Sequence, residues 1–149
     1  MKNRINHQKM DGLLKQLEDD YIKSVKENES SNVEAFIESF LYASWIYNEQ
    51  HMEEITTVLS RYSKEEITKS TMSGAFSEMI DQLRLKLQQL DKEKEYPLLH
   101  SDHGSNLIVA LVDGLMVQYF VGVYDVERLR ELTPFLKKVT LNTLRTEVE

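Results

Sequence analysis

Apolar residues recur every three or four positions through most of this chain, which is the spacing of α-helices with one buried side. The first such segment covers residues 5–26, and its apolar stripe consists of Met10, Leu14, Leu17, Tyr21 and Val25. A second covers residues 31–48, where Ser31 and Glu34 have the spacing of a capping box. A short third helix is predicted over residues 51–62.

A long fourth helix is predicted from a second capping-box pair, Ser63 and Glu66, to residue 90 or 91. A charged loop over residues 92–101 follows it. The pattern therefore places one more pair of helices in the last third of the chain.

That pair flanks a short break. Asp102 or Ser105 is the predicted cap of the fifth helix, and Gly122 is its predicted C-terminal stop. Asp125 is the predicted cap of the sixth helix, whose seam contains Leu129, Leu132, Leu136, Val139 and Thr143. Pro134 predicts a kink or a restart of that helix.

The composition limits the fold classes and the kinds of partner that are expected. Five glycines and two prolines are too few for a meander of strands, so we expect a single all-α domain over residues 1–149, a bundle of about six helices. The absence of cysteine excludes disulfides and thiolate metal sites. The net charge is −7 and the basic residues are scattered among acids, so nucleic-acid binding by this chain alone is not expected. The N-terminus lacks a signal-peptide pattern, which favours a cytoplasmic protein.

The fifth helix is the most informative segment. Fourteen of the eighteen residues from 107 to 124 are apolar, so one covered side does not shelter the helix. A membrane would cover the rest, but Asp113 near the middle and the lack of flanking basic residues argue against a span. The two other arrangements are the central helix of a monomeric bundle and, favoured here, a helix shared with a second subunit.

In the favoured arrangement, the last two helices of each subunit of a homodimer form an intersubunit four-helix bundle. Gly114 would let the backbones approach closely where they cross. Asp113 is interpreted as a hydrogen-bonded structural group or a contact across the dimer, and the structural role is favoured. The residues predicted at the interface are Val112, Gly114, Met116, Tyr119, Phe120, Leu132, Leu136 and Val139.

Residues 108–118, IVALVDGLMVQ, followed after a break by residues 125–129, DVERL, resemble the penultimate and last helices of bacterial TetR-family regulators, many of them repressors. The order and lengths of the preceding helices are similar to the C-terminal domain of that family. The resemblance implies dimerisation through the last two helices and a small effector held in the core. In the family, an N-terminal helix-turn-helix domain binds DNA. This sequence has no such pattern, so DNA binding would require that further domain.

Such a sensor needs an apolar cavity between the first, second, fourth and fifth helices. The residues expected to line it are Phe36, Phe40, Trp45, Met72, Phe76, Met79 and Leu111. They favour a small apolar or aromatic effector, with Tyr42, Tyr47 and Gln118 as candidate polar anchors. The alternative is that these side chains are simply core residues at helical spacing.

Other chemistry is weakly indicated. Adjacent acids such as Asp19 and Asp20 diverge by about 100° on a helix and are interpreted as solvated faces. His100, Asp102 and His103 are close in sequence, but three loop residues rarely complete a metal site. We therefore expect no metal, no cofactor and no enzymatic activity. The main alternative function is a helical module that binds another protein through the last two helices, without a small ligand.

Overall fold

The computed structural model describes the backbone of residues 2–148 and the side chains of residues 12–148. Within these bounds the chain forms six α-helices, one short 3-10 helix and no strand, which confirms the predicted all-α class. The helices are α1 (Lys2–Glu27), α2 (Val33–Gln50), α3 (Met52–Ser63), α4 (Lys69–Leu90), α5 (Gly104–Phe120) and α6 (Val126–Leu144), with the 3-10 helix Pro97–His100 between α4 and α5.

The caps of α2 and α4 differ from the predicted ones. The side chain of Asn32, not that of Ser31, accepts from a backbone N–H three residues on, at 2.7 Å. The predicted start of α4 at Ser63 is wrong, because α3 continues through that residue and the following turn places Glu65 at φ 62°. Thr68 caps α4 instead. With 22 residues, α4 is about 33 Å long, shorter than the pattern predicted.

Packing rather than a side-chain cap fixes the start of α5. Neither Asp102 nor Ser105 caps it. The N-cap residue is His103, and no described side chain accepts from the first turn. A Cβ on Gly104 would lie 2.5 Å from the carbonyl oxygen of Leu98. Only glycine fits there without a backbone shift, so α5 begins tightly packed against the 3-10 helix.

α5 ends in a Schellman motif at the predicted glycine. Gly122 has a φ of 84°, a conformation that favours glycine. Its N–H donates to the Tyr119 carbonyl at 3.1 Å, and the Val123 N–H donates to the Gln118 carbonyl at 2.8 Å. Together these bonds close the helix.

α6 begins at its predicted cap and is continuous. Asp125 accepts from the Arg128 N–H at 2.7 Å. Pro134 lies inside the helix without ending it, so the predicted restart does not occur. The buried side also differs from the predicted seam, and consists of Val126, Leu129, Thr133, Leu136, Thr140, Leu141 and Leu144.

Two apolar clusters form the core. The larger one joins α2, α5, α6 and the second half of α4, with α2 packed along α6. The indole N–H of Trp45 on α2 donates to Oγ1 of Thr133 on α6 at 2.9 Å within this cluster. The smaller cluster joins α1, α3 and α4 and contains Leu14, Val58, Ile67, Met72 and Ala75.

Candidate ligand pocket and subunit interface

A cavity of about 480 Å³ lies between α1, α2, α4 and α5, with one residue of α3 at its edge. This volume falls within the range of about 300–1,000 Å³ that is typical of small-molecule sites. The apolar part of its wall consists of Leu17, Val25, Phe40, Ala43, Ile46, Ile55, Phe76, Met79, Ile80, Val109 and Val112. The polar part consists of Asp20, Tyr21, Ser24, Ser44, Tyr47, Asn48, Gln50 and Asp113.

Helical periodicity brings these side chains to one place. Leu17, Tyr21 and Ser24 on α1 follow one another at four and three residues, which puts them on one side of the helix. The lining residues within 40–47 on α2 and 76–80 on α4 follow the same spacing. The cavity is therefore a cleft that is open to solvent on one side and is bounded by helix faces whose register the sequence sets.

One end of the cavity holds a tyrosine–carboxylate pair. The hydroxyl of Tyr47 donates to Oδ2 of Asp20 at 2.9 Å, and the Tyr47 ring stacks on His51 with 4.2 Å between centroids. Burial, followed by the hydrogen bond to Asp20, raises the pKa of Tyr47 well above its usual range. Tyr47 is therefore a neutral hydrogen-bond donor at physiological pH.

Tyr21 also lines the cavity, and its buried hydroxyl is unpaired among the described residues. Its ring packs edge-on against Phe40, with 6.0 Å between centroids, but its buried hydroxyl has no hydrogen-bond partner among the described residues. Burial first, and then the charge of Asp113, raises the pKa of Tyr21. An unsatisfied buried hydroxyl costs about 1–3 kcal/mol. Tyr21 therefore has a hydrogen bond available for a bound molecule.

Asp113 lies on the α5 wall of the cavity, and a large part of its surface is exposed to solvent. Burial among apolar neighbours raises its pKa, and no hydrogen bond or opposite charge from residues 12–148 offsets this burial. The hydrogen-bonded structural role that the sequence favoured for Asp113 is not found among these residues. Its carboxylate instead faces a space that a ligand could occupy.

Phe40, Phe76 and Met79 are the predicted pocket residues that line the cavity. Phe36 is fully buried and stacks on Phe40 at 5.9 Å between centroids, so it supports the wall without forming it. Trp45 is also fully buried, but its indole is bonded to α6. The aromatic side chains of α2 therefore lie partly in the cavity wall and partly in the core.

The other two predicted lining residues lie elsewhere. Met72 belongs to the α1–α3–α4 cluster, and Leu111 packs half-buried against the larger core. Of the candidate anchors, Tyr47 lines the cavity, whereas Tyr42 packs against the core and Gln118 is exposed. Leu111 is misplaced because a broad apolar stripe does not specify the rotation of a helix about its axis. Met72 is on the side of α4 that carries Phe76 and Met79, but it lies one turn nearer the N-terminus of the helix, against α1 and α3.

The polar lining contributed by α1 is not among the predicted pocket residues. Asp20 was grouped with Asp19 as a solvated face, but the two side chains diverge, and only Asp20 reaches the cavity. Tyr21 was placed in the apolar stripe. The available signal was its hydroxyl, because a buried Tyr O–H usually needs a hydrogen-bond partner.

One side of α5 is not covered by the rest of the chain that the structure describes. Leu107, Val117 and Val121 are 47%, 57% and 70% exposed. Ala110 and Gly114 are exposed between them, and we call these five residues the α5 stripe. They recur at spacings of three and four, so they form one continuous apolar surface. A Cβ on Gly114 would meet no atom within 4 Å among the residues that the structure describes.

A shorter apolar surface lies on α6. Leu132, Phe135 and Val139 share one side of the helix, and Phe135 and Val139 are 63% and 39% exposed. Phe135 was not among the predicted interface residues. None of the helices within residues 2–148 has the length and apolar content that crossing a bilayer requires.

The predicted interface residues occupy three environments. Val112, Met116 and Leu136 are buried in the subunit's own core and have little surface to offer a partner. Tyr119, Phe120 and Leu132 are half-buried against the core. Gly114 and Val139 are exposed. Only the third group lies fully on the uncovered surfaces.

Of the residues considered for a metal site, His100 contacts Asp91 in the α4–α5 connection, and Asp102 is exposed and lies 3.7 Å from Arg84. Asp91 is buried and accepts from the N–H groups of Glu95 and Tyr96, at 2.9 and 3.0 Å. Nε2 of His100 lies 2.9 Å from the same carboxylate. Within residues 12–148 there is no group of three or more side chains placed to share a metal ion.

No family model, curated protein or solved structure matches this chain, so comparison with known proteins does not assign it to a family. Fold and site together define an all-α domain with a ligand-sized cavity and an uncovered apolar helix face. The functional inference therefore depends on the chemistry of those two features.

Proposed function

We propose that this chain is the effector-binding and dimerisation domain of a TetR-like transcriptional regulator. The observation that carries the proposal is the cavity between α1, α2, α4 and α5, which has the volume of a small-molecule site and an unpaired buried hydroxyl, that of Tyr21, in its wall. The order of the six helices agrees with the resemblance from which the family assignment comes. Neither catalysis nor DNA binding by this chain alone is part of the proposal.

The cavity is well placed for signalling along α1. Leu17, Asp20, Tyr21, Ser24 and Val25 of this helix all line it. By the resemblance, α1 is the helix that connects the sensor to the DNA-binding domain. A ligand that binds one position of α1 more tightly than another shifts the population toward that position. Effector binding would thereby change the orientation of the DNA-binding domains.

The α5 stripe supports the dimeric part of the proposal. It exposes apolar side chains along most of a helix, and an exposed contiguous apolar patch marks an interaction surface. Gly114 lies at its middle with open space above it. A second copy crossing at this glycine would bury the stripe on both subunits and complete a four-helix bundle with α6.

Thermal unfolding with a panel of small apolar and aromatic compounds tests the ligand site. The variant Val109→Trp fills the cavity from α5, and Leu85→Trp places the same side chain on an exposed position of α4 as a control. We expect active compounds to raise the melting temperature of the wild type and of L85W but not of V109W. An equal response of V109W, or no response of the wild type to any compound, would contradict the proposal.

Sedimentation velocity tests the subunit interface. Val117→Lys puts a charge in the α5 stripe, and Leu85→Lys makes the same change at an exposed apolar position outside it. We expect the wild type and L85K to sediment as dimers and V117K as a monomer. A monomeric wild type at micromolar concentration, or an unaffected V117K dimer, would exclude this interface.

A second candidate function is a module that binds a different helical protein through α5 and α6. The exposed ring of Phe135 favours it, because a large aromatic side chain outside the core is an effective interface anchor. This alternative predicts a chain that stays monomeric alone and whose melting temperature does not respond to small molecules.

A further inference from the structure

The ionisable lining of the pocket is acidic. Asp20 and Asp113 face the cavity together with Tyr21 and Tyr47, and no lysine, arginine or histidine of residues 12–148 lines it. Glu54 on α3 adds a nearby carboxylate, since its charge contributes to the raised pKa of Tyr47. The electrostatic potential inside the cavity therefore favours a positive charge.

Within residues 12–148, no ion pair neutralises these two carboxylates. Asp19, the neighbour of Asp20, pairs with Lys15 at 3.0 Å on the surface of α1. Asp20 and Asp113 take part in none of the ion pairs formed within residues 12–148. Asp20 has the Tyr47 hydroxyl as a donor, which leaves Asp113 as the carboxylate without a partner.

Aromatic rings surround the same space. Tyr21, Phe40, Tyr47 and Phe76 contribute rings to the wall, and ring faces attract cations through their quadrupole. The remaining wall is aliphatic and suits an apolar body. Acidic groups, aromatic rings and one unpaired hydroxyl occur here within a single cavity of about 480 Å³.

We infer that the pocket binds a small organic cation, an apolar or aromatic molecule carrying one protonated amine or an equivalent cationic group. The cationic N–H groups face Asp113 and the hydroxyl of Tyr21, while the apolar body lies against Phe76 and Met79. Such a ligand supplies the counter-charge of Asp113 and the missing hydrogen bond of Tyr21. The inference rests on the proposed function, since it assumes that the cavity is a ligand site.

Matched ligand triplets test the sign of the charge. Each triplet has one apolar body, phenylbutyl, naphthylpropyl or decyl, ending in a primary amine, an alcohol or a carboxylate. Isothermal titration of the full chain at neutral pH compares the three within each body. We expect the amine of at least one body to bind about tenfold more tightly than its alcohol, as a charge-assisted hydrogen bond provides, and the carboxylate to bind most weakly.

Variants locate the cation within the pocket. Asp113→Asn should reduce the affinity for the amine about tenfold and leave the affinity for the alcohol unchanged. Asp19→Asn is the matched control, because Asp19 lies outside the cavity and has its own partner, Lys15. A merely structural role of Asp113 would change the affinities for amine and alcohol equally.

The outcomes separate this inference from the proposed function. Alcohols or carboxylates that bind as tightly as the amines, or a D113N variant that keeps the amine preference, would overturn the cationic ligand while leaving a small-molecule pocket. Failure of every compound in all three triplets to bind would contradict the pocket itself. An amine preference that D113N abolishes and D19N retains would support both.

Discussion

The indole N–H of Trp45 on α2 donates to Oγ1 of Thr133 on α6 at 2.9 Å, and both residues are fully buried. The Thr133 hydroxyl in turn donates to the Leu129 carbonyl at 2.7 Å. The polar groups of these two buried side chains are therefore both hydrogen-bonded. The bond fixes the rotation of α2 about its axis, so that Ser44 and Tyr47 on its other side face the cavity.

Replacing Thr133 by valine should destabilise the protein. The substitution keeps the shape of the side chain but leaves the Trp45 N–H buried without an acceptor, which costs about 1–3 kcal/mol. Thr140→Val is the matched control, because Thr140 is also buried on α6 but bonds only to the Leu136 carbonyl of its own helix. Urea unfolding at one fixed protein concentration compares the two. Equal stability of T133V and T140V would show that the bond contributes little.

Asp91→Asn should loosen the α4–α5 connection. In the wild type, the Tyr96 N–H and His100 contact the same carboxylate oxygen of Asp91. An asparagine amide can place an N–H donor at that position, where an acceptor is needed. Hydrogen bonds to a charged group are worth about 1.5–3 kcal/mol, and we expect a loss of at least about 2 kcal/mol in the free energy of unfolding. Asp102→Asn, at an exposed position near the same loop, should have little effect. A D91N variant as stable as D102N would contradict the role of this carboxylate.

Asp113→Asn should stabilise the ligand-free protein at neutral pH. Burial raises the Asp113 pKa above its ordinary 3.8, so between these two values the folded state binds more protons than the unfolded state, and stability falls as pH rises. D113N has no carboxylate at this position, so its stability does not fall with rising pH for this reason. Its advantage over the wild type should therefore be absent near pH 3.8 and present at about pH 7.

The other titratable side chains of the cavity, Asp20, Tyr21 and Tyr47, are unchanged in the variant. Urea unfolding at a series of pH values measures the difference, and Asp19→Asn reports the effect of removing an exposed carboxylate. A D113N variant less stable than the wild type at neutral pH would mean that Asp113 has a structural partner.

Gly104→Ala should destabilise the protein, because the added Cβ would approach the Leu98 backbone too closely. Gly74→Ala is the control, since a Cβ there meets no atom of the described residues within 4 Å. In the middle of α4, alanine is favoured over glycine by about 0.5–1 kcal/mol. Thermal unfolding should show opposite shifts for the two variants. A G104A variant with an unchanged melting temperature would show that the 3-10 helix shifts at little energetic cost.

Much of the fold could be predicted from local chemistry. The six helices follow from apolar periodicity, and the caps at Asp125 and Gly122 are where turn chemistry indicates. The starts of α2 and α4 could not be read reliably, because Ser31 and Asn32 compete for the same role and α3 absorbs Ser63. Local signals specify that a helix begins nearby, and the packing of the rest of the chain selects the residue.

The site was harder to predict than the fold. Phe40, Phe76 and Met79 were found because they lie on broad apolar stripes. Asp20 and Asp113 were not recognised as pocket groups, because a lone acid in a helix has no sequence feature that separates a solvated position from a cavity wall. Which of these occurs depends on the rotation of α1 and α5, and that rotation is set by contacts with helices distant in the sequence, such as α4.

Native mass spectrometry of the full chain as purified tests the central claim most directly, because it reports subunit number and bound small molecules together. We expect a dimer at twice the subunit mass that carries a small organic ligand or takes up one of the amines, and a loss of that ligand in V109W but not in L85W. A monomer that retains no small molecule under any of these conditions would contradict the account.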